Sequence, residues 1–255
     1  MRKTFLVTGG TGRLGALVVG RLRQAGHEVR VVSRRTGPRL FTVDWKTGAG
    51  LTAALDGADV VVHCASAPGS VDMDRRLVKA AADAHVSHLL YISIVGVDRN
   101  PLRYYRTKLT AERIVEQSGV PYTILRATQF HDLIRMLLAT LARIPLMPVP
   151  DLSFQPVDVS EVADRFADLA MAEPAGRVAD MGGPQVLRLT DMARAYLEAT
   201  GRRRPIVPFR LPGKVFGAFR AGYHRAPDHA DGRITFADHL ATHSDERTAS
   251  DRGRR

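Results

Sequence analysis

Short apolar, β-branched runs alternate with longer amphipathic stretches through the first 130 residues, which is the rhythm of parallel βαβ units. Thr4–Thr8 reads as a first strand, followed by a glycine-rich turn and a helix through about Ala25 that Gly26 stops. Glu28–Ser33 is a second strand and Phe41–Asp44 a short third, with a helix from Leu51 to Leu55 behind it. Asp59–Cys64, His88–Val95 and Tyr122–Arg126 follow as strands, separated by helices over Val71–Ala84 and Leu102–Ser118. Val60-Val61-Val62 and Leu89-Leu90-Tyr91-Ile92 are almost wholly apolar, as a sheet covered on both faces requires. The expected fold class is α/β, a doubly wound parallel sheet.

Beyond residue 130 the alternation loosens. The pattern predicts a helix over Asp132–Ala142, an irregular loop over Pro145–Pro156 and a helix over Val159–Ala172. Arg177–Met181 is a strand candidate, and Thr190–Thr200 a helix with Thr190 as its N-cap. From His239 the chain turns polar and charged and reads as a frayed tail. The expected organisation is one domain over residues 1–240, with its core in 1–130, a small C-terminal substrate-binding region drawn from 131–240, and a flexible tail over 241–255.

Composition narrows the classes. A single cysteine excludes a disulfide framework and suits a reducing compartment. The most apolar stretch, Leu133 to Val149, is interrupted by Arg135, Arg143, Pro145 and Pro148, so no membrane span is expected. The first residues carry too short an apolar run for a signal peptide, and the expected location is the cytoplasm. The net charge of +11 invites a nucleic-acid reading, but seven basic residues and no acidic one lie between Gly201 and Arg225. The rest of the chain is only mildly basic, and a general nucleic-acid binder is not the reading favoured.

Gly10-x-Gly12-x-x-Gly15 sits between a predicted strand and a predicted helix, the context in which such glycines cradle a dinucleotide. One glycine permits the tight turn, another lets backbone amides approach a pyrophosphate, and a third allows close helix–sheet packing. The helix N-terminus then offers free N–H groups and positive dipole to the anion. A site for NAD commonly ends its second strand with Asp or Glu for the ribose hydroxyl, but this corner reads Val32-Ser33-Arg34-Arg35. A guanidinium can grip a 2′-phosphate, and Arg13 adds charge within the loop, so NADP(H) is favoured over NAD(H).

Tyr104 and Lys108 are four residues apart and share one helix face. An ammonium near a phenol favours its ionisation, which would let Tyr104 donate a proton to a carbonyl oxygen as hydride arrives. Ser93, at the end of a strand, could hydrogen-bond that same oxygen. Tyr105, one residue out of phase, leaves the identity of the proton donor open.

These segments resemble the atypical short-chain dehydrogenase/reductase superfamily in its NmrA-like, NAD(P)-binding branch. The resemblance rests on Thr8-Gly9-Gly10-Thr11-Gly12-Arg13-Leu14-Gly15, Tyr91-Ile92-Ser93-Ile94-Val95-Gly96-Val97 and Tyr104-Tyr105-Arg106-Thr107-Lys108-Leu109. Tyr122 to Phe130 and Phe154-Gln155-Pro156-Val157-Asp158-Val159 extend it along the chain. It implies a Rossmann-type domain in which Gly9, Gly12 and Gly15, with Thr11, Arg13 and Leu14 of the same loop, surround the pyrophosphate. It places Arg34 near the adenosine phosphate, Asp44 near the adenine, Ala65 along the cofactor, Lys108 on the nicotinamide ribose and Thr128 near the nicotinamide end. Ser93, Tyr104 and Lys108 would be the catalytic set. The branch holds quinone and other carbonyl reductases, and also proteins that bind the nucleotide to regulate something else.

Other signals point less far. Cys64 reads as a small buried hydrophobe, and His85, His88, His224, Asp228, His229 and Asp231 lack metal-ligand spacing. His131 and Asp132 follow a strand that could lead toward a substrate. Val215, Phe216, Phe219 and Tyr223 recur at helical spacing, and read either as a packed helix or as a lid or surface for a membrane-borne quinone. The leading expectation is an NADPH-dependent oxidoreductase acting on a hydrophobic carbonyl or quinone. The alternative is a non-catalytic NADP(H) sensor that works through a protein partner.

Overall fold

In the computed structural model, residues 1–65 and 71–242 are described. They fall into two compact units. The first comprises Met1–Asp98, Leu102–Arg126 and Ser160–Ala179; the second comprises Arg99–Pro101, Ala127–Val159 and the chain from Asp180 onward.

The first unit is built on β1 (Thr4–Thr8), α1 (Arg13–Gln24), β2 (Glu28–Ser33), β3 (Leu40–Thr42), α2 (Leu51–Leu55), β4 (Val60–His63), α3 (Val71–Asp83), β5 (His88–Ile94), α4 (Arg103–Glu116) and β6 (Tyr122–Ala127). With β9 (Gly176–Arg177) the strands form a seven-stranded sheet in the order β3-β2-β1-β4-β5-β6-β9, parallel in every register that aligns them. The chain reverses direction across the sheet between β1 and β4, the crevice where open α/β sheets bind ligands. Leu6, Val61, Leu89, Tyr91 and Ile124 turn one face toward buried residues of α2, α3 and α4, including Leu55, Leu77, Ala111 and Val115. The α6 helix (Val159–Met171) lies beside α1, where Arg21 holds Asp164 and donates to the Ser160 carbonyl at 3.1 Å.

The second unit holds α5 (His131–Leu141), β7 (Met147–Pro150), β8 (Ser153–Phe154), β10 (Leu187–Arg188), α7 (Leu189–Ala199), β11 (Ile206–Phe209), α8 (Lys214–Arg220) and a helix α9 over residues 236–242. β8 pairs antiparallel with β10, and β7 parallel with β11. Ile134, Leu138, Met147, Phe154, Met192, Tyr196 and Phe236 fill its core.

Several expectations need correction. Pro145–Pro156 is not an irregular loop, because it contains β7 and β8. Its prolines sit where strand geometry tolerates them: the amides of Met147 and Asp151 donate to Pro205 and Phe209, so Pro148 and Pro150 fall at positions whose missing N–H would face away from β11. The α7 helix starts one residue earlier than expected, with Arg188 rather than Thr190 at the cap. Leu189 is buried in the core and its amide is held by the Leu152 carbonyl at 2.8 Å, which fixes the start without a side-chain cap. Of the expected Arg177–Met181 strand only Arg177 lies in β9, which begins at Gly176, while Met181 forms an isolated bridge to Ala127. The third strand is Leu40–Thr42, ahead of the expected Phe41–Asp44, because Asp44 is taken up by a turn. Residues 239–242 are helical, with His239 and Leu240 buried, so the chain does not fray at His239; the rest of the expected tail lies outside the described residues. Phe216 and Phe219 of α8 pack against the second core, as the packed-helix reading of that segment required.

Candidate active site

The turn between β1 and α1 is shaped by its glycines. Gly9 has φ of +67°, and a Cβ there would stand 2.7 Å from the Ala65 amide nitrogen. A Cβ on Gly15 would collide with the Gly9 carbonyl. The Gly12 amide closes the turn onto that carbonyl at 2.9 Å, and Gly12 caps α1 without any side chain. No acidic residue occupies the first turn of α1, whose amides have no intrahelical acceptor. The result is a cradle that admits only backbone and suits a diphosphate. Thr11, Gly12 and Arg13 are exposed at its rim, whereas Leu14 and Gly15 are buried, so Leu14 can offer a ligand little beyond its backbone.

At the end of β2 the Ser33 hydroxyl accepts from the Arg35 amide at 3.0 Å, and Arg34 and Arg35 are exposed with no carboxylate at the corner. Asp44 accepts from the Lys46 amide and the Thr47 hydroxyl, both at 2.9 Å. These hydrogen bonds hold its carboxyl below the ordinary range.

β4 delivers His63, Cys64 and Ala65 beside the glycine turn. Burial pushes the Cys64 thiol up to about 12 despite the pull of Lys108, so it stays protonated. His63 and Asp74 are fully buried, with Nδ1 of His63 2.7 Å from the Thr8 hydroxyl and Nε2 2.9 Å from Asp74. All three groups are satisfied when Nε2–H donates to the carboxylate and Thr8 O–H donates to Nδ1. The Thr8 oxygen then accepts the Ala65 amide at 3.4 Å. This chain of hydrogen bonds ties α3 to the floor of the glycine turn, and the sequence reading missed it.

β5 and α4 bring the remaining groups together. Ser93 is buried, and its hydroxyl has no hydrogen-bond partner among the described residues. Lys108 is 4% exposed, donates to the Ile92 carbonyl at 2.7 Å and lies 4.4 Å from the centre of the Tyr91 ring. Its ammonium therefore sits against the strand residues adjoining Ser93. Burial lowers its pKa to about 8, opposed by Asp74, Cys64 and Glu112. Tyr104, one turn earlier on α4, is 38% exposed, whereas Tyr105 is 4% exposed and part of the core. Deeper on the same helix, Glu112 makes a two-pronged buried pair with Arg126 at 2.8 and 2.6 Å.

The other candidates serve the second unit. Thr128 donates its hydroxyl to the Gln155 carbonyl at 2.6 Å, while His131 Nε2 bonds the Ile234 carbonyl and Asp132 pairs with Arg135. His88 of the first unit is bound to Thr123 at 2.8 Å. Among the described residues no group of three or more His, Cys, Asp or Glu is placed to hold a metal, and no helix is long and apolar enough to cross a membrane.

Comparison with known proteins bears on the family and the fold. A family profile described as NAD(P)H-binding matches residues 9–134. The (4-alkanoyl-5-oxo-2,5-dihydrofuran-3-yl)methyl phosphate reductase of Streptomyces griseus is 31% identical over 215 residues, 78% of this chain and 74% of that one. The photosystem II assembly factor Ycf39 of Trieres chinensis is 23% identical over 274 residues, 95% of this chain and 83% of that one. Among solved structures, the NADPH-dependent quinone oxidoreductase of Escherichia coli complexed with NADPH superposes with a TM-score of 0.80 at 19% identity, covering 93% of this chain and 99% of that one. The chain belongs to the NAD(P)H-binding family that this profile and the Streptomyces griseus reductase define, and its structural neighbours lie in the atypical short-chain dehydrogenase/reductase, NmrA-like class. It is an NAD(P)-binding protein with a Rossmann-like, reductase-type fold.

Proposed function

We propose that the chain is an NADPH-dependent reductase that delivers hydride to a carbonyl or quinone of a hydrophobic small molecule. The observation that carries this reading is the grouping on β5 and α4: a buried hydroxyl at Ser93 with no partner among the described residues, a buried ammonium at Lys108, and an accessible phenol at Tyr104. The reduced nicotinamide, when bound, supplies hydride. Tyr104 O–H donates a proton to the substrate oxygen as negative charge develops there, and Ser93 O–H, with no partner among the described residues, orients that oxygen. Lys108 lowers the cost of leaving a phenolate at Tyr104 and is the natural donor to the ribose hydroxyls. Gly9, Thr11, Gly12, Arg13, Leu14 and Gly15 hold the diphosphate, Ala65 lines it, and Asp44 lies toward the adenine. Thr128 is assigned to the nicotinamide end by resemblance alone.

Arg34 and Arg35, with Arg13, support NADPH over NADH, since the β2 corner offers guanidinium and no carboxylate. The reductase names of the Streptomyces griseus and Escherichia coli proteins favour the same reaction class. A second reading, a nucleotide-bound protein that acts through a partner, draws on the likeness to an assembly factor. Calorimetric titration with the four nicotinamide dinucleotides, followed by NADPH oxidation against a panel of quinones and carbonyls, separates the two. Turnover that disappears in Tyr104→Phe supports the reductase. Tight NADPH binding without turnover of any panel member favours the partner-directed reading.

A further inference from the structure

The register of the small parallel pair decides which of its residues look outward. Met147 and Val149 of β7 are buried, and they align with Ile206 and Pro208 of β11. Side chains alternate along a strand, so the opposite face carries Pro148 and Pro150 of β7 with Val207 and Phe209 of β11. Val207 is 45% exposed and Leu146, immediately before β7, is 61% exposed; Ile144, in the turn that ends α5, is 46% exposed.

Arginines crowd the entry to β11, at the end of the pair where Leu146 lies. Arg202, Arg203 and Arg204 lead straight into β11, and with Arg194 of α7 they line a cleft of about 640 Å³ whose walls also include Leu197, Pro205 and Ile206. Arg143 immediately precedes Ile144. Between residues 191 and 210 there are five arginines and two carboxylates, and one of those carboxylates, Asp191, is held by Arg194. At the far end Arg210 neutralises Asp151.

We infer that this face docks on an anionic lipid bilayer. Guanidinium groups pair with phosphate in a two-pronged fork, and their aliphatic stems can lie along apolar surface while the heads stay in the headgroup layer. Leu146 and Val207 would enter the boundary between headgroups and acyl chains. A second copy is the poorer occupant, since a twofold interface is self-complementary and would set the arginine row close to its own image. Attachment is peripheral and reversible, as expected of a chain with no spanning helix among its described residues.

The test is sedimentation of the full chain with phosphatidylcholine vesicles, with and without phosphatidylglycerol. Binding is expected only when the anionic lipid is present, and it should weaken at about 1 M salt, where the Debye length is about 3 Å. Arg202→Glu/Arg203→Glu/Arg204→Glu should lower the vesicle partition by about a hundredfold. Leu146→Ser/Val207→Ser should remove whatever binding survives high salt. Arg75→Glu/Arg76→Glu/Lys79→Glu, on the exposed side of α3, removes the same charge elsewhere and should change the partition by less than about twofold. Thermal melts check that each variant is folded. Three results overturn the inference: no sedimentation of the wild-type chain with anionic vesicles, an equal loss in the α3 variant, or a dimer that Leu146→Ser/Val207→Ser dissociates while vesicles are ignored. The first remains readable even if a face variant fails to fold.

Discussion

Nε2 of His63 lies 2.9 Å from Oδ1 of Asp74, with both side chains sealed from solvent beneath the turn that follows β1. The carboxylate fixes the tautomer of the ring, and the ring fixes the Thr8 hydroxyl that accepts the Ala65 amide. Breaking a buried polar pair from one side strands the other partner, which costs far more than the pair contributes when intact. Asp74→Leu should therefore destabilise the first unit by about 3 kcal/mol, whereas Asp74→Asn keeps an acceptor for Nε2–H and should cost less than half of that. Urea melts measure both, and equal losses in the two variants would count against the hydrogen-bonded chain.

Tyr104 and Tyr105 are neighbours with opposite environments, and that contrast separates chemistry from packing. Tyr104→Phe should cut turnover by about a hundredfold or more while leaving the dissociation constant for NADPH within about twofold, because only the transferred proton is lost. Tyr105→Ala should instead cost about 3 kcal/mol of stability as a core truncation. Turnover unaltered in Tyr104→Phe would remove it from the mechanism.

Lys108 couples pH to both activity and stability, with opposite consequences. Its ammonium is lost as pH rises through about 8, so kcat/KM should fall above that pH if the positive charge assists Tyr104. The unfolded chain keeps the proton up to the ordinary lysine value of 10.5, so between about 8 and 10.5 the unfolded state binds more protons and stability rises with pH. Below pH 8 the buried ammonium costs at most about 3 kcal/mol. Lys108→Met should thus raise the melting temperature at pH 7 while reducing turnover. A pH–rate profile and calorimetric melts at pH 7 and pH 9 check both halves.

The parts of the site that one periodic element carries were readable from residues alone. Gly9 to Gly15 follow an apolar strand, and Tyr104 and Lys108 share a helix face, so spacing is enough to pair them. It could not choose between Tyr104 and Tyr105, because that depends on how deeply α4 sinks into the sheet. The His63–Asp74 contact was hidden for a related reason: its two residues come from a strand and a helix whose packing no local pattern encodes. One signal was present, since a histidine in a strand as apolar as Val60-Val61-Val62-His63 must find a partner when buried. β7 was masked by Pro148 and Pro150, whose harmlessness depends on a pairing with β11 far along the chain. The glycine turn was legible because backbone constraint leaves its mark in residue type, whereas side-chain partnership across elements does not.

The β2 corner sets the cofactor preference if its two exposed arginines meet the 2′-phosphate. NADPH and NADH differ at that phosphate, so a charge-assisted contact there strengthens binding of one and leaves the other alone. Such a contact is worth about 1.5–3 kcal/mol, which corresponds to roughly 10–100-fold in affinity. Arg34→Ala/Arg35→Ala should weaken NADPH by that factor and leave NADH within about twofold. Arg34→Asp should go further, because a carboxylate there would repel the phosphate and could accept from the ribose hydroxyl of NADH. The Ser33 hydroxyl accepts the backbone amide of Arg35, which these substitutions retain, so the turn itself should survive them. Calorimetry with both cofactors decides the matter: parallel losses for NADPH and NADH would mean that the arginines support the loop or the diphosphate, and that discrimination lies elsewhere.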